Sequence, residues 1–508
     1  MAKPAEKLAQ SLEELKKLQE NGITAIRTKH LGRTHRERLQ KNGFIKEVMK
    51  GWYIPSRPDE TKGESTAWYA SFWRFCANYL NDRFGDDWCL SPEQSLLIHA
   101  ENWSVPKQLL VRAPKKGSNK PTELLHDTSI FDVRISMPDK KEIIEIDGIR
   151  LFSLAASLIH CTPGCYSQYP IDSRAALSNV KDSSDILKQL LEGGHSRAAG
   201  RLAGAFRNID RTRIADDILK TMKAADHDVR EVDPFETKLP FSFSSRENSP
   251  YVNRIRLMWE QMREPITESF TAIPHKKLNV DSYLKHVEDI YVTDAYHSLS
   301  IEGYQVSREL IEKVRKGNWR PDTDESDREN LNALAARGYW QAFQVVKESI
   351  TKILEGENHG EIIENDHGDW YREMFAPSVT AGILEPGDLA GYRNQPVYIR
   401  RSQHVPPDYE AVRELMPAYF ELTTAEDSPA VRVVLSHFIF VFIHPYVDGN
   451  GRMGRFIMNV MRAAGGYPWL VIPVEKRDNY MAALEEASVN RNILPFSQFI
   501  NRCQFAPL

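Results

Sequence analysis

The stretch that most restricts what this chain can fold into is His444-Pro-Tyr-Val-Asp-Gly-Asn-Gly-Arg-Met-Gly-Arg455. An apolar run, Val433 to Ile443, precedes it, and a second, Phe456-Ile-Met-Asn-Val-Met461, follows it. The pattern predicts helix, tight loop, helix, with the loop held between two buried supports. Gly449 and Gly451 permit backbone conformations closed to residues with a Cβ, so successive N–H groups can turn inward as an anion nest. The second helix is expected to start near Arg452 and to add its positive end at the same point. Arg452 and Arg455 project from one face of its first turn, and two guanidiniums there suit a polyphosphate. Asp448 is a hard oxygen ligand placed where Mg²⁺ bridges phosphates. His444 has an ordinary pKa near neutrality, which fits a general base acting on a hydroxyl. Together they describe transfer of a nucleotidyl or phosphoryl group to an alcohol.

Gly449-Asn-Gly-Arg-Met-Gly454 also fits the dinucleotide pattern G-x-G-x-x-G, with Val471-Ile-Pro-Val-Glu475 as a second strand ending in an acid. The context opposes that reading, because His444 to Asp448 would separate the first glycine from its strand. Pro473 also suits no central parallel strand. The twelve residues resemble the Fic family signature, H-x-F-x-[DE]-G-N-G-R-x-x-R, with Tyr446 where phenylalanine is usual. Tyrosine keeps the aromatic anchor. The resemblance implies a protein adenylyltransferase that moves AMP from ATP, with Mg²⁺, to a Ser, Thr or Tyr hydroxyl of a target protein. In that role His444 is the catalytic base and Asp448 the metal ligand. Gly449, Asn450, Gly451, Arg452 and Arg455 hold the nucleotide, and Tyr480 falls where the family often places adenine contacts.

Two further segments resemble the same family. Ser298-Leu-Ser-Ile-Glu302-Gly303 looks like its inhibitory motif, [ST]-x-x-x-E-[GN]. Ser298 and Glu302 are four apart on one helical face, and Gly303 lies where the helix can end. The resemblance implies that Glu302 forms a bidentate pair with Arg455 in the place of the ATP γ-phosphate. Gly391-Tyr-Arg-Asn-Gln-Pro-Val397-Tyr-Ile399, followed by Pro406-Pro407, is similar to the family's β-hairpin flap. Its residues Val397, Tyr398 and Ile399 are then expected to hold a target peptide by strand addition.

At 508 residues the chain is too long for one ordinary domain. It is 41% hydrophobic and 27% charged, the composition of a soluble globular protein, and its net charge of −4 confines any nucleic-acid contact to a local patch. No apolar run reaches membrane-spanning length, and a polar helix follows the first residues, so a cytoplasmic protein without membrane contact is expected. Five scattered cysteines argue against a disulfide framework.

Residues 1–57 read as a winged helix: a first helix around Leu12, Leu15 and Leu18, a second over Thr24 to Leu31, a third to Lys41, and a hairpin wing around Met49-Lys-Gly51. Gly22 to Arg57 holds nine basic residues against two acids, which suggests a DNA contact through Arg33, Arg36, Arg38, Lys41 and Lys50. The segment resembles the head of AbiEi-type antitoxins, whose wing ending is matched by Gly51-Trp52-Tyr53, and residues 64–235 resemble their α/β body, read here as a scaffold. Ser/Pro-rich residues 241–250 mark a linker. The expected fold is mainly α: an all-α Fic domain with a β-hairpin flap over 251–508, preceded by the α/β region and the winged helix. A toxin–antitoxin fusion controlling its own expression would unite these parts. The competing function is a DNA-binding regulator whose Fic half senses nucleotide with little turnover.

Overall fold

The structure is a computed structural model that describes residues 4–58, 60, 64–115, 117–235, 249–271, 279–318 and 331–503. The expected linker lies almost wholly outside the described residues. The chain divides into two compact units, Met1–Arg254 with Tyr398–Val405, and Ile255–Val397 with Pro406–Leu508.

The first unit opens with α1 (Pro4–Glu20), β1 (Ile26–Arg27), α2 (Arg33–Lys41), β2 (Ile45–Met49) and β3 (Trp52–Pro55), the strands forming an antiparallel sheet in the order β1-β3-β2. Leu15 packs there on Ile26, Leu39, Ile45 and Tyr53. The β2-β3 hairpin and the basic helix α2 are present. The helix expected over Thr24 to Leu31 is not: β1 stands in its place. Alternating Thr24, Ile26 and Thr28 favour an extended chain, since branching at Cβ crowds a helix. Asn78 Oδ1 accepts the Thr24 and Ala25 N–H groups at 3.3 and 3.2 Å, and Ile26 pairs with Tyr53.

Next come α3 (Thr66–Phe84), β4 (Cys89–Leu90), α4 (Pro92–His99), β5 (Gln108–Arg112), β6 (Pro121–Glu123), β7 (Ser129–Val133), β8 (Ile143–Ile146) and β9 (Ile149–Phe152). The larger sheet runs β4-β5-β7-β6, with β5 and β7 parallel, and β8-β9 is a hairpin. The aromatic run of α3 is core: Trp68, Phe72 and Phe75 cluster with Trp88 and Val111, and also with Val48, Trp52 and Ile54 of the wing. Residues 1–57 and 64–235 therefore share a core. Helices α5 (Leu154–His160), α6 (Pro163–Gln168), α7 (Pro170–Ser178), α8 (Ser184–Gly193), α9 (Ser196–Asn208) and α10 (Thr212–Ala224) follow. All five cysteines are buried and free.

The second unit is helical. It takes most of α11 (Pro250–Ser269), then α12 (Val280–Ile301), α13 (Arg308–Arg315), α14 (Leu331–Glu355), α15 (His359–Thr380), α16 (Val412–Ala425), α17 (Pro429–Ile443), α18 (Asn450–Ala464), α19 (Arg477–Val489) and α20 (Leu494–Cys503). Among the described residues every strand lies between Ile26 and Phe152, so the molecule is mainly α. The expected β-hairpin flap does not form: residues 391–411 hold no strand. Pro396, Pro406 and Pro407 cannot donate to a ladder. Residues 398–405 belong instead to the first unit, where Val105 N–H donates to the Gln403 carbonyl at 2.8 Å and Arg400 Nε pairs with Glu64 Oε2 at 2.7 Å. Tyr398 is exposed, and Val397 and Ile399 are half-buried.

Candidate active site

The two apolar runs form α17 and α18, and the polar loop between them is held open by its own side chains. Tyr446 stacks face to face on Tyr371 of α15, ring centres 3.8 Å apart. Asn450 Oδ1 accepts the Tyr446 N–H at 2.9 Å, and its Nδ2 donates to the Tyr446 carbonyl at 2.8 Å. The Asn450 side chain is thus spent on stapling the loop, leaving its backbone at the helix N-terminus as its means of meeting a nucleotide. Gly449, the residue before α18, has φ +80°, and a Cβ there would lie 2.8 Å from the Phe375 ring. Only glycine fits both the dihedral and the space.

His444 caps α17 in the left-handed region, φ 55° and ψ 58°. Its Nδ1 lies 3.2 Å from the Val441 carbonyl, an acceptor, so Nδ1 carries the proton and Nε2 keeps a free lone pair. Burial lowers its pKa to about 4, with Arg393 adding to the effect and the Val441 carbonyl opposing it. The imidazole is therefore neutral at physiological pH and able to accept a proton.

Arg452 and Arg455 are both buried. Arg452 lies between the rings of Tyr304 and Phe375, at 5.3 and 5.0 Å, and its Nη2 is 3.3 Å from Asp448 Oδ2. Neither ring was legible as a site residue, because the contact joins α18 to α15 and to the segment after α12. Tyr304 carried one faint signal, its place two residues beyond Glu302. Arg455 donates from Nε to Ser298 Oγ at 2.9 Å, and from Nη2 to the Ser298 carbonyl at 3.0 Å and to Glu302 Oε1 at 2.7 Å. The expected bidentate pair with Glu302 is replaced by one charge-assisted bond, with Ser298 taking Nε. Burial alone would lower the Arg455 pKa, but the Glu302 carboxylate outweighs it and the group is raised. Gly303, at φ +97°, follows the end of α12.

The Glu302 carboxylate also lies against the start of α18: a Cβ on Gly451 would meet its Oε1 at 2.4 Å. An anion is thus already seated where the helix N-terminus and Arg455 converge. Asp448 is largely exposed, its Oδ1 accepting the Gly449 N–H at 2.6 Å. Among the described residues no three His, Cys, Asp or Glu side chains gather as a metal site. A lone exposed carboxylate fits Mg²⁺ brought by a polyphosphate, since that ion keeps water and phosphate oxygens as most of its ligands. Tyr480 is core rather than open to a ligand: it is 1% exposed and its hydroxyl is 2.8 Å from His437 Nε2.

Residues 363–461 match the Fic/DOC family. The chain is 27% identical over 236 residues to protein adenylyltransferase Fic of Nematostella vectensis, covering 46% of this chain and 49% of that protein. It is 29% identical over 220 residues to the Drosophila virilis protein of the same name, covering 42% and 41%. The chain thus spans about half the length, or less, of these relatives. A solved structure of Fic-1 from C. elegans matches at 18% identity and TM-score 0.36, over 66% of this chain and 96% of that one.

His437 yields a test of the packing around this loop. Burial first, and Arg455 second, push its pKa from 6.5 to about 3. A depressed folded pKa contributes stability that is whole above the unfolded value and is lost as pH falls toward the folded one. Urea stability should therefore decline between pH 6.5 and 4 more steeply in the wild type than in His437→Gln, by on the order of a few kcal/mol. Identical slopes would show that the histidine is not held neutral.

Proposed function

We propose that the second unit is a protein adenylyltransferase held in check by its own Glu302. The observation that carries this reading is the Glu302 carboxylate bonded to Arg455 at the positive end of α18, in the same loop as a neutral histidine. A carboxylate there mimics a terminal phosphate in charge and position. With Glu302 displaced, the γ-phosphate of ATP takes Arg455, Arg452 grips the β-phosphate, and the first N–H groups of α18 face the α-phosphate. Mg²⁺ at Asp448 would neutralise phosphate charge. His444 Nε2 takes the proton of a Ser, Thr or Tyr hydroxyl as that oxygen bonds to the α-phosphorus. The bond to the β-phosphate oxygen breaks, and pyrophosphate leaves. The relatives named protein adenylyltransferase Fic support the same chemistry.

The test is transfer of label from α-labelled ATP, with Mg²⁺, to protein in a cell lysate. Glu302→Gly should label about ten- to a hundredfold more than the wild type, the worth of one charge-assisted bond near 1.5–3 kcal/mol. A further His444→Ala change should abolish the gain. Labelling by Glu302→Gly that equals or falls below the wild type, with both folded, would end the self-inhibition reading. It would leave the nucleotide-sensing regulator in its place.

For residues 1–57 we infer a non-specific duplex contact, supported by the exposed Arg33 and Lys41 of α2 and Lys50 at the wing tip. Arg38 is not among the carriers, because its Nη1 is spent on the Lys7 carbonyl and Ser11 Oγ at 2.7 Å each. Arg36 is half-buried over the Tyr53 ring at 5.8 Å. Such a head would suit the proposed antitoxin-like control of expression. Lys41→Ala with Lys50→Ala should flatten the salt dependence of duplex binding by about 0.9 in slope per lost contact. No binding of the wild type even at low salt would remove this reading.

A further inference from the structure

Arg393 stands fifty-one residues before His444 and is 2% exposed. It forms no salt bridge among the described residues; its guanidinium is surrounded by main-chain carbonyls instead. Nε donates to the His444 carbonyl at 2.8 Å, Nη1 to Gln395 at 3.3 Å, and Nη2 to Ile443 at 3.5 Å and to Pro407. Its own backbone N–H donates to the Pro445 carbonyl at 2.9 Å. One residue thus takes three consecutive carbonyls, those of Ile443, His444 and Pro445, where α17 ends and the loop begins.

Those carbonyls need a partner for a physical reason. The last carbonyls of a helix have no acceptor role within it, and the usual remedy is a glycine in the left-handed region beyond the end. Here the left-handed residue is His444, whose Cβ makes that conformation unfavourable. A buried cation without a carboxylate is also costly, and the Arg393 guanidinium offsets that cost with carbonyls at this turn and at Gln395 and Pro407. Two unfavourable features sit on one hydrogen bond, from Arg393 Nε to His444 O.

We propose that Arg393 is the positioning residue for His444, holding its backbone in the left-handed turn so that the ring presents Nε2 to the substrate. The proposal rests on the adenylyl-transfer reading above for what the lone pair does, but not for how it is held. With the His444 carbonyl fixed, the direction of Cα–Cβ is fixed. The short reach back to the Val441 carbonyl then sets the ring and its tautomer. Arg393 touches no reacting atom; it acts through the histidine. Its guanidinium fork reaches the Ile443 and His444 carbonyls together with those of Gln395 and Pro407, which a lysine ammonium of equal charge cannot do.

Arg393→Lys in the Glu302→Gly background tests this with two readouts. In transfer kinetics kcat should fall on the order of ten- to a hundredfold, the usual penalty for a misplaced catalytic group, while the KM for ATP stays within about twofold. In full-length protein labelled with [15N]imidazole histidine, the His444 signals, identified by their loss in His444→Ala, should change from one Nδ1–H tautomer to a mixture. A kcat and an ATP affinity that fall in parallel, or a His444 tautomer unchanged in Arg393→Lys, would overturn the proposal. The spectrum needs no turnover, so failure of AMP transfer is told apart from failure of the positioning.

Discussion

One buried guanidinium organises this site. Arg455 is 4% exposed, and taking a cation out of water is tolerable only with a carboxylate or comparable acceptor beside it. Glu302 supplies the charge, and Ser298 supplies two oxygens from the same helix. In the proposed reaction the γ-phosphate competes for that cation, so the contact that stabilises the resting protein would also withhold the proposed activity. Glu302 is partly exposed and caps its helix, whereas Ser298, one turn back, is buried.

The helix that carries this contact is pinned from behind. Asp294, one turn before Ser298, accepts the Tyr339 hydroxyl at 2.6 Å and the Trp469 indole N–H at 3.0 Å. Burial raises its pKa to about 6, with both donors and Arg455 pulling the other way. These bonds tie α12 to α14 and to the segment after α18, so Ser298 and Glu302 arrive at Arg455 in a defined register. Arg452 in turn lies over the rings of Tyr304 and Phe375. The Ser298–Tyr304 segment therefore meets both arginines of the loop, one by charge and one by a ring.

What could be read in the sequence was what depends on near neighbours. The loop between α17 and α18 is local, and its glycines, its arginine spacing and the helix end after Glu302 follow from a few residues each. What could not be read depends on packing across the chain. Thr24 to Leu31 has helical length, yet Ile26 became a strand because Tyr53 and Asn78 were there to receive it. The proline-rich stretch around Val397 matched a hairpin in pattern, but its residues 398–405 bond within the first unit and Arg393 bonds at the His444 turn. Tyr480, placed by the resemblance where adenine contacts often lie, is buried with its hydroxyl against His437. Asn450 and Arg38 are polar residues whose partners turned out to be internal. Arg393 lies in a segment with strand-like residues, and its bonds to the His444 turn join residues about fifty positions apart.

The central claim is that Glu302 and a terminal phosphate contend for Arg455. Equilibrium binding of ATP and of ADP, which lacks that phosphate, to the wild type and to Glu302→Gly tests it most directly. The account predicts that the substitution tightens ATP by about ten- to a hundredfold and ADP far less, since only ATP gains the freed guanidinium. Equal tightening of both nucleotides, or none of either, would contradict it.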